Sequence, residues 1–355
     1  MDKYSQFFNP ELLSFAFMKT LVCQEPGSFS YEARTMPEAA ANRSILKIKQ
    51  VGICGTDYHA FEGTQPFFNY PRVLGHEIAA EIAQTGADSG FQLGELVTIS
   101  PYFYCGTCIA CRNGNTNCCQ QMSVCGVHQD GAMTEYLSVP DTAIIPGAGL
   151  SEDQLVLVEP LAIGAHGLSR AKVKKGEYVL IIGAGPIGLG TMNFARIAEA
   201  NVIAMDVDDA RLAYCQEKLG VPHLINPLKQ DAVATLAEIP NGDMPTVVID
   251  CSGNRKALND AFSYMAHTAR YVMIGLQKQE LVISHPEFHK REATLMSSRN
   301  ALPEDFKLVI EAIRSSKVKP EDYITHKLKF DEVKDQFVGL SATSTKLIKA
   351  VITFD

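Results

Sequence analysis

Glu177-Tyr-Val-Leu-Ile-Ile-Gly-Ala-Gly-Pro-Ile-Gly-Leu-Gly190 begins as an apolar strand, turns through Gly183, Gly185 and Gly188, and continues with the apolar spacing of a helix that runs on towards Ala200. The first glycine permits a tight turn. The second lets backbone approach a pyrophosphate, and the third lets the helix pack closely on the strand. Pro186 and Ile187 complete the turn, and the helix N-terminus offers free N–H groups and a positive dipole end to phosphate oxygens. Asn201 to Asp206 reads as the next strand. Asp206 ends it at the spacing where a carboxylate binds ribose hydroxyls, and Val207 follows it rather than a basic residue. A carboxylate there repels a 2′-phosphate, so the expected dinucleotide is NAD rather than NADP. The bland alternative is that Asp206 only caps the next helix. Arg211, in that helix, is counted with Gly183, Gly185, Pro186, Ile187, Gly188 and Asp206 as cofactor-binding.

Downstream, the strand–helix alternation continues. Ala210 to Leu219 reads as a helix stopped by Gly220, and Thr246–Asp250, Arg270–Gly275 and Glu292–Ser297 read as buried strands. Apolar strands alternating with helices imply a doubly wound parallel sheet. Upstream, the first ~150 residues read as short β segments broken by Gly and Pro, with Ser44 to Val51 alternating as a half-buried strand does. A helix from Pro303 to Arg314 and a mixed tail follow the parallel rhythm without continuing it. The fold class is therefore α/β, a mainly-β catalytic domain (18–160 and 303–355, discontinuous) with a Rossmann-type domain (161–302) and an extension (1–17). The length of 355 residues suits two cores.

The formal net charge of −8 and the lack of a basic tract speak against nucleic-acid or anionic-membrane partners. No run approaches the ~20 apolar residues of a membrane span, and no basic-then-apolar leader is visible, so the expected location is the cytoplasm. Ten cysteines without such a leader point to reduced thiols and metal rather than disulfides.

Cys105-x2-Cys108-x2-Cys111-x7-Cys119 has the spacing of a closed, structural zinc site, and Cys118 and Cys125 are spare. A second, mixed set is scattered: Cys54-Gly-Thr56-Asp-Tyr-His59, Gly75-His76-Glu77 and Glu159-Pro160. One thiolate, one imidazole and a carboxylate suit a catalytic zinc with an open position. Zinc acts there as a Lewis acid on a substrate hydroxyl, and the nicotinamide takes the hydride. Thr56 can pass the released proton through its hydroxyl, and His59 is of the residue type that hands protons to solvent near neutral pH; otherwise His59 is simply a surface turn residue.

Taken in order, Gly52-Ile-Cys-Gly-Thr-Asp57, Gly75-His-Glu77, the four-cysteine lobe, Glu159-Pro160 and Gly183 to Gly188 resemble the zinc-containing medium-chain dehydrogenases, the group of sorbitol and threonine dehydrogenases. The resemblance covers nearly all of the chain after Met18. It implies a GroES-like catalytic domain joined to a Rossmann domain, two zinc ions per subunit, NAD, and dimers or tetramers. By position it makes Cys54 and His76 zinc ligands and leaves Glu77 and Glu159 as competitors for the third place.

Shorter segments, Gln65 to Arg72, Gly126 to Gly131, Pro286 to Lys290 and Ser298-Arg-Asn300, are similar to those of bacterial L-galactonate 5-dehydrogenases. That similarity implies a sugar-acid substrate oxidised at C5 to a keto-uronate such as tagaturonate. A hexonate needs a cation for its carboxylate, and Arg299 is the first choice, His128 the second. Arg299 has an alternative reading as a surface or cofactor-facing residue. Other readings are an L-gulonate 5-dehydrogenase, a polyol or L-threonine dehydrogenase, and, from a different class, an inactive NAD-binding regulator held together by structural zinc.

Overall fold

In the computed structural model the described residues are 17–354, apart from 39, 67, 87–88, 240–241 and 343–346. The expected extension 1–17 therefore lies outside them except for Phe17, which opens the first strand, Phe17–Glu25.

The segment that decides the fold forms as read. Tyr178–Ile182 is a strand whose last four residues are buried, as a strand covered on both faces requires. It pairs in parallel with Asn201–Met205 on one side and Val247–Asp250 on the other. His223–Ile225 extends one flank, and Arg270–Met273 and Thr294–Ser297 extend the other. Numbered within this sheet, the strand order is 3-2-1-4-5-6, the doubly wound arrangement whose crevice lies between its first and fourth strands. The His223–Ile225 strand is absent from the sequence reading because three residues are too few for a periodic signal.

The catalytic domain is built on a sheet of seven strands. Its longest, Arg43–Ile53, pairs with Glu77–Gln84, Tyr136–Pro140 and Lys349–Thr353. It runs beyond the expected 44–51, and its end is buried on both faces, where alternation no longer applies. The strand delivers Cys54 directly into the helix Gly55–Phe61. Ile324–Lys329 and Lys349–Thr353 bring the tail back into this sheet, side by side and parallel. The helix Pro303–Arg314 instead shares its apolar face, Phe306, Val309, Ile310 and Ile313, with the core under Val158–Ala171 and Pro186–Ile197. Val158–Ala171 is itself a single helix across the 160/161 junction, so one rigid element touches both domains. No helix among the described residues is long and apolar enough to cross a membrane.

Candidate active site

The nucleotide crevice has the backbone that its glycines imply. Gly183 sits at φ +97°, which L side chains rarely adopt, and a Cβ on Gly188 would lie 1.8 Å from the Gly183 carbonyl oxygen. A Cβ on Gly185 would meet nothing within 4 Å, the open space a phosphate needs. Gly185 is also the N-cap of Pro186–Ile197, and no side chain caps that helix end. Asp206 does not cap the following helix: Asp208 does, accepting from Ala210 and Arg211 N–H. Asp206 instead accepts from Ala184 N–H at 2.6 Å and Asp208 N–H at 2.9 Å, which ties the glycine loop to the end of the second strand. Arg211 is half-buried in the first turn of the same helix. Replacing Asp206 with Asn keeps the size of the side chain and removes the charge. The preference for NAD over NADP is expected to fall by about tenfold, or about 1.4 kcal/mol, as read from the ratio of kcat/KM values; an unchanged ratio would remove Asp206 from cofactor choice.

The four cysteines converge. Cys108 Sγ lies 3.4 Å from Cys111 Sγ and 3.9 Å from Cys119 Sγ, and Cys119 Sγ lies 3.5 Å from Cys105 Sγ. Sulfurs at the corners of a zinc tetrahedron stand about 3.8 Å apart, given Zn–S bonds of about 2.3 Å. The donor set therefore fits a tetrahedral zinc, and all four cysteines are free thiols rather than disulfides. Backbone N–H groups of Cys105, Cys108 and Gln121 point at the sulfurs, stabilising thiolate charge. The backbone and hydroxyl of Thr107 lead a set of hydrogen bonds that pull the Cys105 thiol down to about 6. Cys118 is exposed and stands outside the cluster.

The second set also converges: ligand atoms of Cys54, His76 and Glu77 lie within 4.8 Å of one another. Cys54 directly follows the strand Arg43–Ile53, His76 follows a turn at Gly75, and Glu77 opens the strand paired beside it. Asp57 ties the two segments together: its Oδ2 accepts from Cys54 N–H at 2.8 Å, and its Oδ1 accepts from Gly75 N–H at 3.2 Å and lies 3.8 Å from His76 Nδ1. Burial raises the Asp57 carboxyl, against the pull of His76 and those N–H groups. Burial alone would push the His76 imidazole down. The charges of Asp57, Cys54 and Glu159 outweigh it and hold its pKa well above the usual range. His76 Nδ1 is buried and has no hydrogen-bond partner. An orphaned imidazole nitrogen among anionic groups of sulfur and oxygen is a setting that a zinc ion satisfies.

The two carboxylates differ in what they do. Glu77 is fully buried, and both of its oxygens accept from Lys349 Nζ at 2.6 Å; that lysine also donates to Ile53 O at 3.2 Å. A Cβ on Gly52 would lie 2.0 Å from Glu77 Oε2, so only glycine leaves room for this pair. Glu159 starts the helix between the domains and accepts a hydrogen bond from the Tyr102 hydroxyl. Burial pushes its carboxyl up to about 7, with His76 pulling the other way. Thr56 is half-buried in the first turn after Cys54. His59, its side chain 60% exposed, faces water with Thr64 Oγ1 at 3.1 Å and Glu62 at 3.7 Å.

Two arginines act on a histidine in the loop next to the Gly75 turn. His128 lies in the loop packed on the Gly75 turn, where a Cβ on Gly126 or Gly131 would strike the Gly75 carbonyl. Burial lowers the His128 imidazole, and the charges of Arg299 and Arg72 lower it further. His128 Nδ1 accepts from Val124 N–H at 3.0 Å. Arg72 keeps its Nε buried without a partner while its Nη1 lies 3.4 Å from Asp130.

Sequence reasoning passed over Asp57, Arg72, Tyr102 and Lys349. Asp57 and Arg72 lie inside segments already singled out. Lys349 had one signal, a lone lysine in the apolar run Leu347 to Ile352, and Tyr102 had none.

Residues 40–150 match the family profile of the alcohol dehydrogenase GroES-like domain, and residues 186–315 match that of the zinc-binding dehydrogenases. The L-galactonate-5-dehydrogenase of Escherichia coli is 43% identical over 95% of this chain and 99% of its own. The 2-dehydro-3-deoxy-L-galactonate 5-dehydrogenase of Pseudoalteromonas atlantica is 31% identical over 81% of this chain and 84% of its own. Among solved structures, an alcohol dehydrogenase from Escherichia coli in complex with NADH superposes with a TM-score of 0.89 at 30% identity, covering 96% of this chain and 100% of its own.

Proposed function

Because the chain belongs to the zinc-type medium-chain alcohol dehydrogenases, we propose that the alcohol it oxidises is a sugar acid, L-galactonate at C5, giving D-tagaturonate with NAD as hydride acceptor. The observation that carries the substrate class is the likeness to the L-galactonate-5-dehydrogenase of Escherichia coli over nearly all of both chains; the charges of Arg72 and Arg299, both felt by His128 in the loop packed on the Gly75 turn, agree with it. A neutral polyol needs no such cations, whereas a hexonate carboxylate does. The likeness to a second dehydrogenase named for a galactonate-type acid supports the same reading.

Cys54, His76 and one of Glu77 and Glu159 would hold the catalytic zinc, and Cys105, Cys108, Cys111 and Cys119 the structural one. Zinc, when bound, supplies Lewis acidity to the reacting hydroxyl, and NAD accepts the hydride. The chain's own residues do the rest. Asp57 fixes the angle between the Cys54 and His76 segments. Gly183 to Gly188 and Asp206 orient the dinucleotide along the sheet's carboxyl edge. Thr56 passes the hydroxyl proton on, and the exposed His59 releases it to water. Arg299 anchors the substrate's carboxylate away from the reacting carbon.

A panel of L-galactonate, L-gulonate, sorbitol and L-threonine, followed by NADH absorbance, tests the substrate. L-galactonate is expected to give the highest kcat/KM, and Arg299→Ala to raise its KM by about 10- to 100-fold with kcat little changed, as loss of a charged hydrogen bond does. Faster turnover of sorbitol or L-threonine would replace this reading with a polyol or amino-alcohol one. Preference for L-gulonate would keep the sugar acid and move the stereochemistry.

A further inference from the structure

A buried polar network joins three parts of the chain and has no place in the chemistry above. Asn117 lies in the turn between the third and fourth cysteines of the zinc lobe, His166 in the interdomain helix Val158–Ala171, and Asp305 in the first turn of Pro303–Arg314. All three are at least 94% buried. Asn117 Nδ2 lies 2.8 Å from the Arg299 carbonyl oxygen and 3.0 Å from His166 Nε2. A carbonyl oxygen only accepts, so the amide end facing it is the nitrogen, and its second hydrogen goes to His166 Nε2. Nε2 must then accept, which leaves the imidazole proton on Nδ1, donated to Asp305 Oδ2 at 2.7 Å. The donor and acceptor roles thus assign one tautomer of His166. The same Asp305 oxygen accepts from Leu302 N–H at 2.8 Å, and Asn300 Nδ2 donates back to the Asn117 carbonyl at 3.0 Å.

The segment held in this way is short. Ser298 N–H is bonded to Met273 O at the end of the parallel sheet. Arg299 is then gripped through its carbonyl, Asn300 through its side chain and Leu302 through its N–H. Asn300 adopts φ +54°, a left-handed conformation that a non-glycine residue keeps only when its surroundings impose it. The Arg299 side chain itself is exposed. Backbone is therefore fixed on both sides of an arginine whose head group is left for something else.

We propose that Asn117, His166 and Asp305 are positioning residues: they lock the Ser298–Asn300 backbone to the zinc lobe and so set Arg299 for the substrate's carboxylate. This rests on the reading of Arg299 given above. It also gives the zinc lobe a second duty, since the turn that closes the metal site carries the amide that holds the substrate's arginine.

Double-mutant analysis of Asn117→Ala and Arg299→Ala tests the proposal, with KM for L-galactonate, KM for NAD, kcat and zinc content read for each variant. Asn117→Ala is expected to raise KM for L-galactonate by about tenfold, with two zinc ions retained and KM for NAD unchanged. Added to Arg299→Ala it is expected to cost nothing further, because the two act through one contact. Full additivity, or an Asn117→Ala effect confined to zinc content or kcat, would overturn the proposal and leave the network a structural one. An Arg299→Ala variant with unchanged KM would instead defeat the reading of Arg299, and the proposal with it. Asp305→Asn, which preserves size and removes only the charge that holds the His166 tautomer, gives the same comparison if Asn117→Ala does not fold. It is expected to raise KM in the same direction by a smaller factor, and an unchanged KM there counts against the proposal.

Discussion

Cys54→Ser is expected to cut turnover by about a thousandfold or more and to lower bound zinc from two ions per chain to one. The sulfur stands among the His76 and Glu77 donor atoms, all within 4.8 Å of one another. A hydroxyl in its place is a poor zinc ligand, because it does not ionise near neutral pH as a thiol does in the field of a metal. Lewis-acid stabilisation of the developing charge is worth several kcal/mol, and each 1.36 kcal/mol is tenfold in rate. The four-cysteine site shares no ligand with this one, so the remaining zinc should stay. Metal analysis and steady-state rates on the same preparation decide the matter. Retention of two zinc ions with near-normal turnover would show that Cys54 is a half-buried thiol and nothing more. The contrasting variant, Cys111→Ser, should also lose one zinc but through the structural site.

The second large effect is on stability. Lys349 is 2% exposed and Glu77 fully buried, and the lysine satisfies both carboxylate oxygens. Burial alone would push the lysine's pKa down, but the Glu77 carboxylate beside it turns the shift upward, so the ammonium form is held in place. Lys349→Met keeps the length and apolar stem and deletes the charge. An uncompensated buried carboxylate costs about 3–5 kcal/mol. At about 2–4 °C per kcal/mol for a domain of this size, Tm should fall by about 10 °C. The fall is expected to be larger in chelator-treated protein than in zinc-loaded protein, because a dication beside Glu77 replaces part of the lost positive charge. Adding Glu77→Gln should recover part of it. An unchanged Tm in both metal states would mean that the pair is open to water and of little energetic weight.

Much of this was legible before any coordinates. The parallel sheet could be read because its central strands are buried on both faces and so are continuous apolar runs, Tyr178 to Ile182 above all; the flanking Thr294–Ser297 is not buried. The glycine turn and the four-cysteine lobe could be read because their chemistry is local: every partner lies within a few residues. The Cys54–His76–Glu77 cluster was legible only as scattered pieces. Cys54 and His76 are brought together by the pairing of Gly52 with Glu77 across two strands, and nothing local announces that register. Lys349 was invisible as a partner for the same reason, since it sits 272 residues from Glu77. The Asn117–His166–Asp305 network is harder still, because each member alone is an ordinary polar residue in a turn or a helix. The ending of strands was less visible than their centres: Arg43–Ile53 outruns its alternating stretch where both faces become buried.

The place of the Lys349–Thr353 strand has a bearing on how the molecule is made. It lies between Arg43–Ile53 and Ile324–Lys329, inside the catalytic sheet rather than at its border. During synthesis, the Gln50–Ile53 end of the long strand must wait without its partner while the whole nucleotide domain is made and folds, although the Arg43–Lys47 end of the same edge already has Tyr136–Pro140 to pair with. Over that interval the nascent chain presents an apolar edge and an unshielded set of metal donors, the conditions under which strands recruit neighbours. The closing of the Cys54–His76–Glu77 cluster by Lys349 is thus delayed until nearly the whole of residues 17–354 has been made.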